Sequence, residues 1–148
     1  MAGASQIVPE TQSDDAILKT CAQHRELGTH IIFETANGTT WSSLQTHLAV
    51  TRAHVVFAQE VKIFAEDIPE ASVRARRLGW HAFIEPCIRT AAGGRSAGVA
   101  IFTRRYLDAY SIPGAAQTVV PHRVVKAHLR TRTLGEVALY AAYSKDGL

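Results

Sequence analysis

Two polar pairs follow two apolar stretches of the chain, and their residue types suit phosphate chemistry. An Asn-Gly pair begins at Asn37, just after residues 30–35, and a Gln-Glu pair ends at Glu60, just after residues 55–58. Both stretches are rich in β-branched and aromatic residues and predict strands. If the strands run parallel, both pairs fall at the carboxyl edge of one sheet, where open α/β sheets bind ligands. An amide and a carboxylate would then meet there, as a divalent cation beside a phosphate requires.

The segment between the two pairs predicts the connection that parallel strands need. Trp41, Leu44 and Leu48 follow i, i+3, i+7 spacing and indicate a helix with one apolar stripe. Thr39 or Thr40 can cap its start. Strand, helix and strand in this order predict a right-handed βαβ crossover. This unit is the element that must bring Asn37 and Glu60 together.

The remaining segments predict further strands and helices around this unit. Residues 1–11 predict a loose tail, residues 14–27 a helix, and residues 67–78 a second helix capped by Asp67. Residues 106–121 predict a long connection with one short strand. The other expected strands form two hairpins, the first from residues 80–84 and 97–103 and the second from residues 124–129 and 137–143.

Composition excludes several classes of protein. The 148 residues correspond to one domain or to a fragment of a larger one. Two cysteines are too few for a disulfide framework, and the seven histidines show no zinc spacing. No apolar run is long enough for a transmembrane helix, and the first residues lack the pattern of a secretory signal. We therefore expect an intracellular, soluble protein, with the nucleus among the compartments left open.

The charge is unevenly distributed along the chain. The net charge is +3, but residues 1–70 hold nine acidic and four basic residues, whereas residues 71–148 hold four and twelve. A basic second half indicates a polyanionic partner. An ordinary solvated surface explains the same pattern, and charge alone does not choose between them.

The order of these pieces resembles the endonuclease/exonuclease/phosphatase superfamily of metal-dependent phosphodiesterases. The matching stretches are ETANG (34–38), AQEVK (58–62), LGWHAFIEP (78–86), RSAGVAIFTRR (95–105) and VALYAAYSKDG (137–147). The resemblance covers residues 30–147. Within the family it is most similar to the endonuclease domains of non-LTR retroelements and to apurinic-site endonucleases.

The resemblance implies an α/β fold, the amino-terminal half of a four-layer α/β sandwich with a mixed β-sheet flanked by helices. Residues 1–29 would be a tail and helix preceding the domain, and residues 30–148 a partial domain truncated at its carboxyl end. The family's second half supplies an Asp-x-Asn pair, a further Asp and a Ser-Asp-His end, and this chain stops before them. With about one sheet's worth of sequence, we expect an exposed inner sheet face that favours self-association.

The resemblance also implies roles for three residues. Glu60 would be the metal ligand for Mg²⁺, with Mn²⁺ as the alternative, and Asn37 and Tyr143 would be catalytic residues against the scissile phosphate. Each has an ordinary structural explanation: an exposed glutamate, an Asn-Gly turn, and a tyrosine at the edge of the core. Asp146 lies too soon after the last strand to be the family's catalytic Asp.

Nucleic acid, DNA first, is the partner that the resemblance implies. Arg95, Arg104, Arg105 and Arg123 would follow its backbone, or serve only as surface charge. The function expected in a complete domain is Mg²⁺-dependent cleavage of nucleic-acid phosphodiester bonds, inactive in this fragment. The alternatives are a non-catalytic nucleic-acid-binding or interaction remnant of a retroelement, and a generic α/β domain. DNA, RNA, lipid and small phosphodiester substrates remain open.

Overall fold

A computed structural model describes residues 30–112 and 114–144 of the chain. The tail and helix predicted for residues 1–29, together with Asp146, lie outside the described residues. The two helices of the described part are α1 (Trp41–Val50) and α2 (Ile68–Arg77), and a short 3₁₀ turn, Ala65–Asp67, precedes α2. The strands are β1 (Phe33–Asn37), β2 (Val55–Gln59), β3 (Trp80–Glu85), β4 (Ile88–Arg89), β5 (Arg95–Ser96), β6 (Val99–Arg104), β7 (Asp108–Tyr110), β8 (Thr118–Val120), β9 (Val124–Thr131) and β10 (Gly135–Ala142).

The first sheet is mixed and contains the predicted crossover. Its strand order is β1-β2-β6-β3, with β1 and β2 parallel and the other two pairs antiparallel. Helix α1 connects β1 to β2 and is capped by Thr40, whose hydroxyl accepts from the backbone N–H of Ser43 at 3.1 Å. Leu44 and Leu48, on the predicted apolar stripe, are buried. The βαβ prediction is therefore confirmed.

A second sheet is formed by the strands near the end of the chain. β9 pairs with β10 and with β7, and β8 also pairs with β9, all antiparallel. The predicted hairpin of residues 124–143 is thus present, with β9 running on to Thr131. The connection between β3 and β6 carries the small β4–β5 hairpin, whereas β3 and β6 pair directly in the first sheet.

Two apolar cores hold these layers together. The first core lies between the first sheet and the two helices, and its buried members include Leu44, Ala75, Trp80 and Phe102. The second core lies between the two sheets, where Val99 and Ile101 of β6 pack with residues of β9 and β10 such as Leu129. The layers are therefore helices, sheet and sheet.

The second core corrects the expectation of an exposed inner sheet face. Val55 and Ile101 on the inner face of the first sheet have no exposed surface, because β9 and β10 cover them. The error lay in counting one sheet's worth of strands where the sequence supplies two. Among the described residues, the inner face of the first sheet therefore offers no exposed apolar surface for self-association.

Three local predictions also need correction. Asp67 stands at the start of α2 but makes no side-chain capping hydrogen bond, because it is the last residue of the 3₁₀ turn and its backbone is already helical. The first strand begins at Phe33 and runs to Asn37, later than residues 30–35. Residues 106–121 contain two short strands, β7 and β8, where one was expected.

Candidate active site

The polar residues predicted from sequence lie at one end of the first sheet. Asn37 pairs with Gln59, Gln59 pairs with Val99, and Val99 pairs with Glu85, so these four residues share one end of the strands. We call this end, with the loops that leave it, the rim. Trp80 and Arg104, which pair with each other, mark the opposite end.

Asn37 and Glu60 meet at the rim. The Asn37 Nδ2 donates a hydrogen bond to Glu60 Oε1 at 3.0 Å, and Asn37 Oδ1 accepts from the backbone N–H of Thr39 at 3.1 Å. The amide orientation is therefore fixed from both sides. The juxtaposition predicted from the crossover is present, while the chemical roles of the two side chains stay predictions.

The backbone that carries Glu60 is strained. Glu60 has φ of 53° and Lys62 has φ of 55°, in the left-handed region that side-chain-bearing residues rarely adopt. Such a conformation costs about 1–2 kcal/mol per residue. Strained residues of this kind cluster at functional sites, because there the surrounding structure enforces a backbone conformation that places a side chain for its task.

Lys62 is a rim residue that the sequence reading did not single out. Its Nζ lies 3.8 Å from Glu60 Oε2, and its carbonyl accepts a hydrogen bond from Arg95 Nη1 at 2.8 Å. Its presence in the stretch AQEVK was the only signal in the sequence. Lys62 places a positive charge beside the carboxylate, where a phosphate would also be attracted.

Tyr143 reaches the rim through its neighbours. The Gln59 Nε2 donates to the carbonyl of Ala142 at 3.2 Å, which joins the two sheets next to Tyr143. The Tyr143 N–H donates to the carbonyl of Arg123 at 2.9 Å, and the Arg123 guanidinium lies 6.0 Å from the ring centre. Tyr143 is half-buried against the second core, so it fits both the phosphate role and the structural one.

Glu85 is a buried rim carboxylate that sequence reasoning missed. Only 5% of the residue is exposed, and it accepts from Thr118 Oγ1 at 2.6 Å and from the His122 N–H at 2.9 Å. These bonds fix the turn that carries Arg123. Its position just before Pro86 is its only signal in the sequence, and the predicted strand ends one residue earlier, at Ile84.

The basic residues divide between the rim and the rest of the molecule. Arg89 and Arg95 pair across the β4–β5 hairpin, and their guanidinium groups lie 3.7 and 4.2 Å from the Phe64 ring centre. Arg104 is structural: it lies 3.9 Å over the Trp80 ring and donates to the carbonyls of Ala53 and Thr51. Arg104 therefore has a structural role, and its contact with a nucleic-acid backbone stays a prediction.

A solved structure has the same arrangement of strands and helices. An AP endonuclease from Leishmania major superimposes with a TM-score of 0.52 and 19% sequence identity, over 80% of this chain and 41% of that chain. The chain therefore shares its fold with this AP endonuclease. The fold predicted from sequence is thus confirmed, and the chain spans about two fifths of the length of that enzyme.

Two structures from Neisseria are also similar to the chain, at lower TM-scores. A 3′ phosphatase, NExo, bound to a product DNA hairpin gives a TM-score of 0.44 at 19% identity, over 74% of this chain and 40% of that chain. A 3′-5′ exonuclease (NExo) from Neisseria meningitidis gives 0.43 at 21% identity, over 70% and 38%. No family model and no curated protein sequence matches the chain.

The donor set at the rim meets part of what a magnesium site needs. Mg²⁺ is usually held by one or two carboxylates together with phosphate oxygens and water. Glu60 offers one partly exposed carboxylate, whereas Asn37 Oδ1 already accepts from Thr39. Within residues 30–112 and 114–144, no three His, Cys, Asp or Glu side chains cluster to hold a metal. Glu60 can therefore supply one ligand, and the others must come from elsewhere.

Membrane insertion through a helix has no support in the described part of the chain. Neither α1 nor α2 is long and apolar enough to cross a bilayer.

Proposed function

We propose that this chain is the Glu60-bearing portion of a Mg²⁺-dependent phosphodiesterase that cleaves the backbone of nucleic acid. The observation that carries the proposal is the 3.0 Å hydrogen bond between Asn37 and Glu60 at the carboxyl ends of two parallel strands. An amide and a carboxylate held together at that edge, with the carboxylate on strained backbone, are suited to a phosphate and its cation. The superfamily fold supports the same class of chemistry.

Each rim residue would have a distinct task. Glu60 would hold Mg²⁺, or Mn²⁺ in its place, and the bound metal would polarise the phosphoryl oxygen. Asn37 would fix the Glu60 carboxylate and present its amide to the scissile phosphate. Tyr143 would contact that phosphate from the second sheet, and Lys62 would balance the charge of Glu60 until the cation binds.

Nucleic acid, with DNA preferred, is the substrate class that the charges around the rim favour. Lys62 and Arg123 lie on loops at this end of the sheet, and Arg95, in β5, contacts the Lys62 carbonyl and faces Arg89 across the β4–β5 hairpin. A row of cations beside a phosphate site attracts a polyanion more strongly than a small diester. The fold neighbour from Leishmania is itself named an AP endonuclease.

We further propose that residues 1–148 alone lack appreciable nuclease activity. The described rim brings no cluster of three His, Cys, Asp or Glu side chains to a cation, and the sequence lacks the Asp-x-Asn and Ser-Asp-His residues that the resemblance implies for acid–base assistance, which is worth roughly 10²–10⁴ in rate. The purified chain, incubated with supercoiled plasmid and Mg²⁺ or Mn²⁺, should cleave no faster than its Glu60→Gln variant. Mg²⁺-dependent cleavage that Glu60→Gln abolishes would contradict this statement while supporting the site.

Paramagnetic Mn²⁺ tests the site without requiring activity. Line broadening in the NMR spectrum falls steeply with distance, so the Asn37 side-chain amide and the Glu60 backbone should broaden before other signals. Glu60→Gln should remove this effect, whereas Glu70→Gln, on the exposed face of α2, should leave it intact. Broadening that ignores Asn37, or that survives Glu60→Gln, would refute the proposed metal ligand.

A second candidate function is nucleic-acid binding without cleavage, as in a remnant of a retroelement. The observation in its favour is the Glu60–Lys62 ion pair, which already neutralises the carboxylate within a basic surface. A reading frame that continues past residue 148 into Asp-x-Asn and Ser-Asp-His sequences would support the enzyme. A stop codon at that point, with salt-dependent oligonucleotide binding by the purified chain, would support the remnant.

A further inference from the structure

A separate basic pocket lies at the opposite end of the first sheet from the rim. It opens between α2 and β3 and has a cavity volume of about 480 Å³. Its polar lining comprises Ser72, Arg76, His81 and Arg105, and its apolar wall includes Val73 and Ala82. None of the described residues that line this pocket is acidic.

The electrostatic surroundings of His81 show that positive charge accumulates in this pocket. The ring lies 4.7 Å from the Phe83 ring, centre to centre. Loss of water around it is the main cause that lowers the pKa of His81, and the charges of Arg76 and Arg105 lower it further. The neutral imidazole, which has one donor and one acceptor nitrogen, is therefore favoured over the charged form. An anion in the pocket would offset the repulsion that the ring experiences.

We propose that this pocket binds the phosphate group of a mononucleotide-sized phosphate ester. Arginine guanidinium groups match the geometry of phosphate oxygens, and a serine hydroxyl and a neutral imidazole N–H are further donors to them. Val73, with 48% of its surface exposed, and Ala82 give the organic part of the ester an apolar wall. The volume lies in the range of small-molecule sites, about 300–1,000 Å³, and exceeds the needs of a bare phosphate.

This site is independent of the function proposed for the rim. Trp80 and Arg105 lie at the end of β3 and β6 that is farthest from Glu85 and Val99, so the pocket and the rim face different surroundings. A phosphate ester has two sources, a free nucleotide or the end of a nucleic-acid strand, and both present the same chemistry to Arg76 and Arg105.

The test follows the carbon-bound ring protons of His81 by NMR, assigned with a His81→Asn variant. The purified chain is titrated with inorganic phosphate, adenosine monophosphate and a short single-stranded oligonucleotide at matched ionic strength. We expect a saturable shift, a rise in the pKa of His81 at saturation, and tighter binding of the monophosphate than of inorganic phosphate. Tighter binding of the oligonucleotide would assign the source to a strand end. No saturable shift, or equal affinity for phosphate and nucleotide, would overturn the proposal.

Arg76 and Arg77 provide a matched pair of variants. They are adjacent, exposed residues of α2, but Arg77 lines a different hollow with Arg74 and Leu78. Arg76→Gln should weaken nucleotide binding by about tenfold, the loss of one charge-assisted hydrogen bond, and Arg77→Gln should change it little. Equal effects would show general attraction to a basic protein and refute the pocket. Glu60→Gln should leave this binding unchanged, which separates this proposal from that for the rim.

Discussion

Gly98 joins three segments of the rim, and a side chain there would be crowded. Its N–H donates to the carbonyl of His122 at 3.0 Å, and its carbonyl accepts from Val61 at 3.2 Å. Its φ is +87°, and a Cβ placed there would lie 3.1–3.2 Å from the backbone and Cβ of Cys87. The loops that carry Glu60 and Arg123 are therefore held at a point where a side chain would be strained by its φ and crowded by Cys87.

Gly98→Ala should destabilise the fold more than Gly93→Ala. Both glycines have positive φ, +87° and +81°, but nothing lies within 4 Å of a Cβ at Gly93. Strain alone should cost about 1–2 kcal/mol at either position, and contact with Cys87 should add about 1–3 kcal/mol at Gly98. Urea unfolding of the two variants measures the difference, and equal losses would show that the contact has no energetic effect.

Glu34 makes the free energy of unfolding depend on pH in the acidic range. Partial burial raises the pKa of this carboxyl, but hydrogen bonds from His47 at 2.6 Å and Thr51 at 2.9 Å, with the charge of His47, outweigh it, so the net pKa is lowered. The contribution is therefore present above the ordinary value of 4.5 and is lost as pH falls through the lowered value. The stability difference between the wild type and Glu34→Gln should shrink on acidification.

Glu70→Gln is the control for the Glu34 measurement. Glu70 forms an exposed i, i+4 ion pair with Arg74 at 3.2 Å, a kind of pair that contributes little. The free energy of unfolding of Glu70→Gln should therefore stay close to that of the wild type across the same pH range. A Glu34→Gln difference that does not change with pH would contradict the assigned hydrogen bonds.

At the scale of elements, sequence patterns correctly predict those helices and strands that are stabilised by contacts between residues close in the chain. The β1–α1–β2 unit could be predicted because strand composition, a capping threonine and the Leu44–Leu48 stripe all agree within a short span. The predicted side-chain cap at Asp67 is wrong, because Asp67 ends a 3₁₀ turn and has a helical backbone conformation. Glu85 could not be found, since its partners Thr118 and His122 are brought to it only by tertiary packing.

Trp80 links α1 to the first sheet, and Trp80→Phe tests that link. The indole Nε1 donates to the carbonyl of Leu48 at 3.0 Å in a buried position, and the ring also carries the Arg104 guanidinium. Losing the donor and leaving the carbonyl unpaired should reduce stability by about 1–3 kcal/mol. Trp41→Phe, at a half-buried ring stacked on Phe102, should cost less. Thermal unfolding followed by circular dichroism ranks the two, and the reverse order would refute the explanation.

For the whole molecule, the second core determines how it unfolds. Leu129 is 1% exposed between the sheets, so Leu129→Ala should cost about 2–5 kcal/mol and loosen both sheets together. Leu134, 75% exposed in the β9–β10 turn, provides the matched Leu→Ala control with little expected effect. Tryptophan fluorescence and far-UV circular dichroism should report one coincident transition in urea. Two separated transitions would show that the sheets unfold independently.

The second sheet illustrates what sequence alone leaves undetermined at this scale. The alternation of Val125, Ala127 and Leu129 with polar residues shows which face of β9 is buried. It does not show what covers that face, because the contact partners on β6 and β2 are distant in the chain. The resemblance supplied the overall fold, but the number of sheets came only from the packing.

The facing arginines of the β4–β5 hairpin have a consequence for its motion. Like charges directly opposite each other on paired strands repel, and here Phe64 and Glu66 offset that repulsion for Arg89 and Arg95. We expect the opening of this hairpin to depend on ionic strength. It should open more often in dilute buffer and less often when salt or a polyanion screens the two arginines. The amides of Thr90 and Gly93, which are hydrogen-bonded within the hairpin, should then exchange with solvent more slowly as the salt or polyanion concentration rises.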